Sequence, residues 1–131
     1  MALKAFVVED NPSIRQGLVD ALADLAGIDT SGTATTEQGA VAWLTEPANR
    51  WDLAIVDLVL VPGGGSGFGV LRALKDRPPN RKMVVLTGSA SPDVRKQCLA
   101  LGCDGVFDKA METEALIDYC IALARAQAPG A

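Results

Sequence analysis

The chain has 131 residues, 49% of them hydrophobic, with 12 basic and 16 acidic side chains and no histidine. This length suits one domain with a substantial buried core. The chain has no Lys/Arg-rich block, which argues against a surface that binds nucleic-acid phosphates, and its N-terminal apolar run is too short to span a membrane. Without histidine there is no His-ligated metal site, no imidazole catalysis and no phosphohistidine donor.

Short apolar runs alternate with longer amphipathic stretches along the chain. Strands are predicted at residues 3–8, 28–33, 53–57, 83–87 and 106–107, and helices at residues 12–26, 35–44, 68–75, 92–101 and 111–126. The second strand is the more polar and is expected near a sheet edge. Thr35 and Gln38 have capping-box spacing for the second helix, and Ser91 followed by Pro92 is a typical start for the fourth.

Five strand–helix repeats with nearly continuous apolar strands predict an α/β fold. Its doubly wound, five-stranded parallel sheet would carry helices on both faces, as in flavodoxin-like proteins. One domain is expected over residues 1–127, followed by a frayed tail at 128–131.

Three cysteines, Cys98, Cys103 and Cys120, form an odd set without metal-binding spacing. This usage is typical of reduced thiols and predicts a cytoplasmic protein. Each cysteine is expected to be a small core residue rather than a reactive one.

Polar residues follow the predicted strands at the edge where ligands bind in open parallel sheets. Glu9 and Asp10 follow the first strand, Asp57 closes the third, Thr87 closes the fourth, and Lys109 comes after the fifth. Each also has an ordinary structural interpretation, such as a turn cap, a strand end or a solvated cation. Together, however, three carboxylates with one lysine would carry uncompensated negative charge.

Oxygen ligands without histidine or cysteine suit a hard cation such as Mg²⁺. Such a cation would explain why Glu9 and Asp10 are adjacent. A carboxylate beside the metal could attack a phosphoryl group and form an aspartyl-phosphate. An ammonium and a hydroxyl would then hold the phosphoryl oxygens.

The motifs VVEDNPS, IVDLVL, LTGSA and GVFDK occur in this order over nearly the whole chain. In this respect the chain resembles the receiver domains of two-component response regulators. The resemblance implies that Asp57 accepts phosphate from a sensor histidine kinase or a phosphotransfer protein. It also implies that Asp10, Asp57 and the Val59 carbonyl bind Mg²⁺, which Mn²⁺ could replace, with Glu9 acting mostly through water.

The resemblance further implies that Thr87 is the switch hydroxyl, Lys109 the phosphate-pairing cation and Gly88 the small residue beside the pocket. Such a domain is a signalling phosphoacceptor that assists its own phosphorylation and dephosphorylation, and not an enzyme in the usual sense. The chain departs from the family pattern in three places. Ala110 replaces a proline, Val106 occupies the usual aromatic position with Phe107 one residue later, and the loop VPGGGSGFG is about two residues longer.

Two other classes of protein share parts of this pattern. A haloacid-dehalogenase-type phosphatase needs a second acid two residues after the nucleophile, where this chain has Val59. A flavodoxin-like cofactor carrier would bind phosphate after the first strand, where Glu9 and Asp10 would repel it.

Output is expected through contacts with a downstream protein target that the sequence does not identify, without direct nucleic-acid or membrane contact. A stand-alone receiver is the preferred interpretation, and a module cut from a longer regulator or hybrid kinase is the alternative. In the last helix, Leu116, Cys120 and Leu123 are expected to pack on the sheet. A neighbouring stripe, Ile117, Ile121 and Ala124, either widens this core face or forms a patch for a homodimer or a target.

Overall fold

The computed structural model describes residues 2–60, 63–88 and 90–127, except for the side chain of Gln127. Five strands alternate with five helices along these residues. The strands are β1 (Lys4–Val8), β2 (Asp29–Ala34), β3 (Leu53–Val56), β4 (Lys82–Thr87) and β5 (Gly105–Asp108). The helices are α1 (Pro12–Ala26), α2 (Glu37–Thr45), α3 (Gly67–Ala73), α4 (Pro92–Ala100) and α5 (Thr113–Gln127). The tail predicted at 128–131 lies outside the described residues.

The strands form one parallel sheet in the order β2-β1-β3-β4-β5. β2 lies at an edge, as its polar sequence predicts, and its residues alternate between exposed and half-buried. In the centre of the sheet, Val8 pairs with Val56 and Val56 with Val85. The carboxyl ends of β1, β3 and β4 are therefore level with one another. The predicted α/β fold class is confirmed.

Each face of the sheet carries its own hydrophobic core. Val94 and Cys98 of α4 belong to one core, together with side chains from α2 and α3 and with Val106 of β5. Side chains of α1 and α5 pack in the other, where they meet Phe107. Successive residues of a strand point to opposite faces, so Val106 and Phe107 lie on different sides of the sheet.

The helix caps follow the sequence closely, with one correction. Asn11 caps α1 by accepting the N–H groups of Ser13 and Ile14 at 2.9 and 3.1 Å, and Ser91 caps α4 as predicted. The cap of α2 is Thr36, which accepts the Gly39 N–H at 3.0 Å, so the predicted cap Thr35 is wrong by one residue.

Helix α5 begins two residues later than predicted. The Asp108 carboxylate accepts the N–H groups of Ala110 and Met111 at 2.8 and 3.1 Å, which holds these residues in a turn. On α5 itself, Leu116, Ile117 and Cys120 are buried. The core face thus widens as far as Ile117, whereas Ile121 is half-buried.

The cysteines are buried and carry free thiols, as predicted: Cys98, Cys103 and Cys120. Burial raises the pKa of Cys98 to about 11 and that of Cys120 to about 12.

In the described part of the chain, no helix has both the length and the apolar character needed to cross a membrane.

Candidate functional site

The carboxyl edge of the sheet holds an open cavity of about 410 Å³. All five polar residues singled out in the sequence line it. Among the described residues, those that line it are Glu9, Asp10, Asn11, Ile14, Asp57, Val59, Thr87, Gly88 and Lys109. The loops after β1, β3, β4 and β5 thus converge on one site.

Lys109 bridges two of the acids. Its Nζ lies 2.8 Å from Asp57 Oδ2 and 2.7 Å from Glu9 Oε1, and its backbone N–H donates to the Thr87 carbonyl at 3.0 Å. Burial alone would lower the pKa of Lys109. The hydrogen bonds and charges of Asp57 and Glu9 outweigh this and raise it. Lys109 reaches Asp57 even though Ala110 follows it.

The two adjacent acids have different surroundings. Glu9 is 2% exposed, and its second carboxylate oxygen accepts the Asn11 N–H at 3.2 Å. Burial raises the pKa of Glu9, although the bonds from Lys109 and Asn11 act in the opposite direction. Asp10 is only half-buried. The family resemblance implied that Glu9 acts mostly through water and did not indicate its direct ion pair with Lys109.

Asp57 is fixed by its backbone neighbours. Its N–H donates to the Val8 carbonyl at 2.9 Å, and its Oδ1 accepts the Val59 N–H at 3.3 Å. A Cβ at Gly67 would lie 2.2 Å from the Asp57 carbonyl oxygen. Glycine is therefore needed at position 67 so that α3 can start this close to the acid.

The long glycine-rich loop between β3 and α3 is attached to α2. Glu37 donates its backbone N–H to the Gly64 carbonyl at 2.7 Å, and its carboxylate accepts the Ser66 N–H at 2.9 Å. Gly65, with φ at +81°, passes so close that an added Cβ would lie 2.7 Å from the Glu37 Cβ. Glu37 was not among the residues predicted for the site, since the Ser66 amide that it binds lies 29 residues away in the sequence.

The donor set fits a hard divalent cation. One oxygen from each of Glu9, Asp10 and Asp57 can be chosen so that all three lie within 4.8 Å of one another. Three carboxylates beside the one ammonium of Lys109 leave the cluster with a net charge of about −2. Oxygen ligands and this charge balance are the properties of a Mg²⁺ site.

Thr87 and Gly88 complete the cavity. Thr87 ends β4 and is fully buried. Gly88 is exposed, and an added Cβ would meet nothing within 4 Å.

Neither residue near the usual aromatic position places a ring against α4. Val106 faces α4 but is aliphatic. Phe107 packs on the opposite face of the sheet, where its ring lies 5.9 Å from that of Tyr119.

Comparison with known proteins assigns this chain to a family. The family model for the response regulator receiver domain matches residues 5–120. The transcriptional activator DevR/DosR of Mycobacterium tuberculosis is 32% identical over 107 residues, which are 82% of this chain and 48% of that protein. The nitrate/nitrite regulator NarP of Escherichia coli is 30% identical over 116 residues, 88% of this chain and 52% of NarP. The chain thus spans about half the length of these curated relatives.

Solved structures agree on the fold. The phosphorylated cyanobacterial phytochrome response regulator RcpA matches with a TM-score of 0.76 and 26% identity, over 94% of this chain and 91% of its own. The receiver domain of the Francisella response regulator 1452 matches with a TM-score of 0.77 and 21% identity, over 96% and 99%. With a family match over most of its length and an acidic site at the carboxyl edge of the sheet, this chain belongs to the receiver domains of two-component response regulators.

Proposed function

We propose that the domain formed by residues 1–127 takes a phosphoryl group onto Asp57 and signals through contacts with another protein. The observation that carries this proposal is the ion pair of Lys109 with Asp57, which is one of three clustered carboxylates. An Asp57 oxygen would attack phosphorus, the bond from phosphorus to its donor would break, and an acyl phosphate would form. With a phosphohistidine donor, the leaving imidazole nitrogen takes a proton.

The residues of the site have separate roles in this proposal. Asp10, Asp57 and the Val59 carbonyl would hold Mg²⁺, which would neutralise charge on the transferring phosphoryl group. Lys109 would exchange its contact with Asp57 for a phosphoryl oxygen while Glu9 keeps its ammonium in place. The Thr87 hydroxyl would hold another phosphoryl oxygen.

Partners follow from the same chemistry. A sensor histidine kinase or a phosphotransfer protein would supply the phosphoryl group, because receiver domains of response regulators take it from such proteins. The domain would act as a phosphoacceptor that assists its own phosphorylation and dephosphorylation.

The test uses acetyl phosphate with Mg²⁺ and intact-protein mass spectrometry. The protein should gain one phosphoryl group that is stable in acid and labile in base. Asp57→Asn should abolish the gain, since an amide is a far weaker nucleophile than a carboxylate. Asp24→Asn, an exposed aspartate of α1, is the matched control and should be labelled like the wild type. Full labelling of Asp57→Asn would overturn the assignment.

A further inference from the structure

Arg95 of α4 connects two loops that border the site. Its Nε donates to the Ala90 carbonyl at 3.1 Å and its Nη1 to the Val106 carbonyl at 3.0 Å. Its Nη2 forms an ion pair with Glu112. Ala90 lies three residues after Thr87, and Glu112 lies three residues after Lys109. One rigid guanidinium therefore joins the loop after β4, strand β5 and the loop after β5.

Glu112 transmits this contact to the residue beside Lys109. The carboxylate oxygen that binds Arg95 also accepts the Asp108 N–H at 3.1 Å. The Glu112 N–H donates to the Asp108 carbonyl at 2.8 Å, so Glu112 holds both the backbone N–H and the carbonyl of Asp108. Thr113 adds a further bond, from its hydroxyl to the Lys109 carbonyl at 2.9 Å. The backbone around Lys109 is thus fixed by Glu112 and Thr113, and Arg95 links Glu112 to α4.

We infer that Arg95 and Glu112 are positioning residues of the phosphoryl site. They hold Lys109 in register with Asp57 and couple its loop to the loop that follows Thr87. This inference rests on the proposed function, because positioning matters only if phosphoryl chemistry occurs at Asp57. Neither residue lines the site cavity, so both act through the backbone of their neighbours.

The exposure of the pair separates positioning from simple stabilisation. The side chains of Arg95 and Glu112 are each 35% exposed, and ion pairs with this much solvent contact contribute little to stability. The rate of a positioned reaction, by contrast, falls steeply when a charged group moves by about 1 Å. Breaking the pair should therefore slow phosphorylation strongly but lower the free energy of unfolding only slightly.

A second arginine provides a matched control. Arg77 donates to the carbonyls of Leu74, Arg81 and Gly102 and pairs with Asp104 at 2.7 Å. It has the same chemistry as Arg95, but it contacts none of the residues of the phosphoryl site and its side chain is only 7% exposed. Loss of this pair should lower stability and leave the site unchanged.

The experiment compares Arg95→Met, Glu112→Gln and Arg77→Met with the wild type. We expect Arg95→Met to lower the initial rate of Mg²⁺-dependent labelling by acetyl phosphate at least about fivefold, and to lower the unfolding midpoint less than Arg77→Met does. Arg77→Met should show the reverse. In a Lys109→Met background, Arg95→Met should have no further effect on the rate, because its effect passes through Lys109.

A second readout needs neither metal nor phosphate. The Lys109 amide donates to the Thr87 carbonyl, and its hydrogen exchange in the metal-free protein reports on the coupling of the two loops. This exchange should speed up in Arg95→Met and Glu112→Gln. In Arg77→Met it should speed up only as far as the lower global stability of that variant requires. If Arg95→Met fails to fold, Glu112→Gln alone carries both measurements.

The outcomes are distinct. A wild-type protein that takes up no phosphoryl group overturns the proposed function and, with it, the positioning role. Only the positioning role is overturned if the wild type is labelled normally and the labelling rates of Arg95→Met and Glu112→Gln stay within about fivefold of the wild-type rate. The same conclusion follows if the effects of Arg95→Met and Lys109→Met on the rate are independent.

Discussion

Lys109→Met tests the charge balance of the site without reference to phosphorylation. Methionine keeps an unbranched side chain but removes the ammonium that lies 2.7 Å from Glu9 and 2.8 Å from Asp57. These two acids are buried, with side chains 3% and 6% exposed. The variant therefore contains two buried carboxylates that have lost their shared cation.

The expected loss of stability has an upper bound. Removing one partner of a buried ion pair costs about 3–5 kcal/mol, and the 23% exposure of Lys109 lowers this figure. Glu9 can also escape the repulsion by taking a proton. From its ordinary pKa of 4.5, protonation at pH 7 costs about 3.4 kcal/mol. We expect the metal-free variant to lose about 2–3.5 kcal/mol at pH 7.

The same bound gives a pH dependence with a definite sign. At pH 5, protonation of Glu9 from its ordinary pKa costs only about 0.7 kcal/mol. Glu9 then binds a proton more tightly in the folded variant than in its unfolded chain. The variant therefore gains stability relative to the wild type as the pH falls. The gap between the two proteins should shrink to about 1 kcal/mol at pH 5.

The assay is urea denaturation in EDTA at both pH values, and at pH 7 also with Mg²⁺. Mg²⁺ should stabilise Lys109→Met more than the wild type, because no ammonium competes for the carboxylates. Lys4→Met is the control, since Lys4 and Asp29 form an exposed pair at 3.5 Å worth less than about 1 kcal/mol. A loss in Lys109→Met that is equal at pH 7 and pH 5 would refute this account of the site.

Other substitutions test the site loop, the core and the pair on α4. Gly67→Ala places a Cβ 2.2 Å from the Asp57 carbonyl oxygen and should cost about 2 kcal/mol or more in chemical denaturation. In Gly17→Ala the Cβ meets nothing within 4 Å, so the variant should gain about 0.5–1 kcal/mol of stability. Equal changes in the free energy of unfolding of Gly67→Ala and Gly17→Ala would contradict the close packing at Gly67. The pKa of the Cys98 thiol is about 11 and that of the Cys120 thiol about 12. The cysteines should therefore resist a disulfide reagent at pH 8 in the native protein and react once it unfolds. Rapid reaction of the native protein would show that the thiols are accessible. The Arg95 hydrogen bond lowers the pKa of Glu112 from 4.5. The stability difference between the wild type and Glu112→Gln should therefore have its full size above pH 4.5 and shrink below it. A difference that grows on acidification would contradict this.

Much of this architecture could be predicted because it depends on local pattern. Apolar runs such as MVVLT identify a buried strand, and parallel strands bring the residues that follow them to one edge. Convergence of Asp57, Thr87 and Lys109 therefore followed from the order of the elements. The cap of α2 was misplaced because two adjacent threonines, Thr35 and Thr36, offer the same hydroxyl. The direction in which the helix starts decides between them.

The contacts that were missed depend on side-chain paths across the fold. Glu9 and Asp10 are adjacent acids after the same strand, but Glu9 is buried and pairs with Lys109, whereas Asp10 is half-buried. Arg95 resembles any basic residue on an amphipathic helix, and its three acceptors become apparent only when α4 lies beside β5. Glu37 likewise gives no signal of its contact with a loop 29 residues away.

The sheet register has a consequence for the order in which this chain folds. Pairing of Val8 with Val56 brings the acids after β1 next to Asp57, whereas Lys109 arrives only when β5 joins the sheet through β4. A chain with paired central strands and an undocked β5 would hold three carboxylates without their ammonium. Divalent cations should therefore stabilise such a partly folded chain more than the finished one. The residues that form the site thus make docking of the last strand an electrostatic event as well as a hydrophobic one.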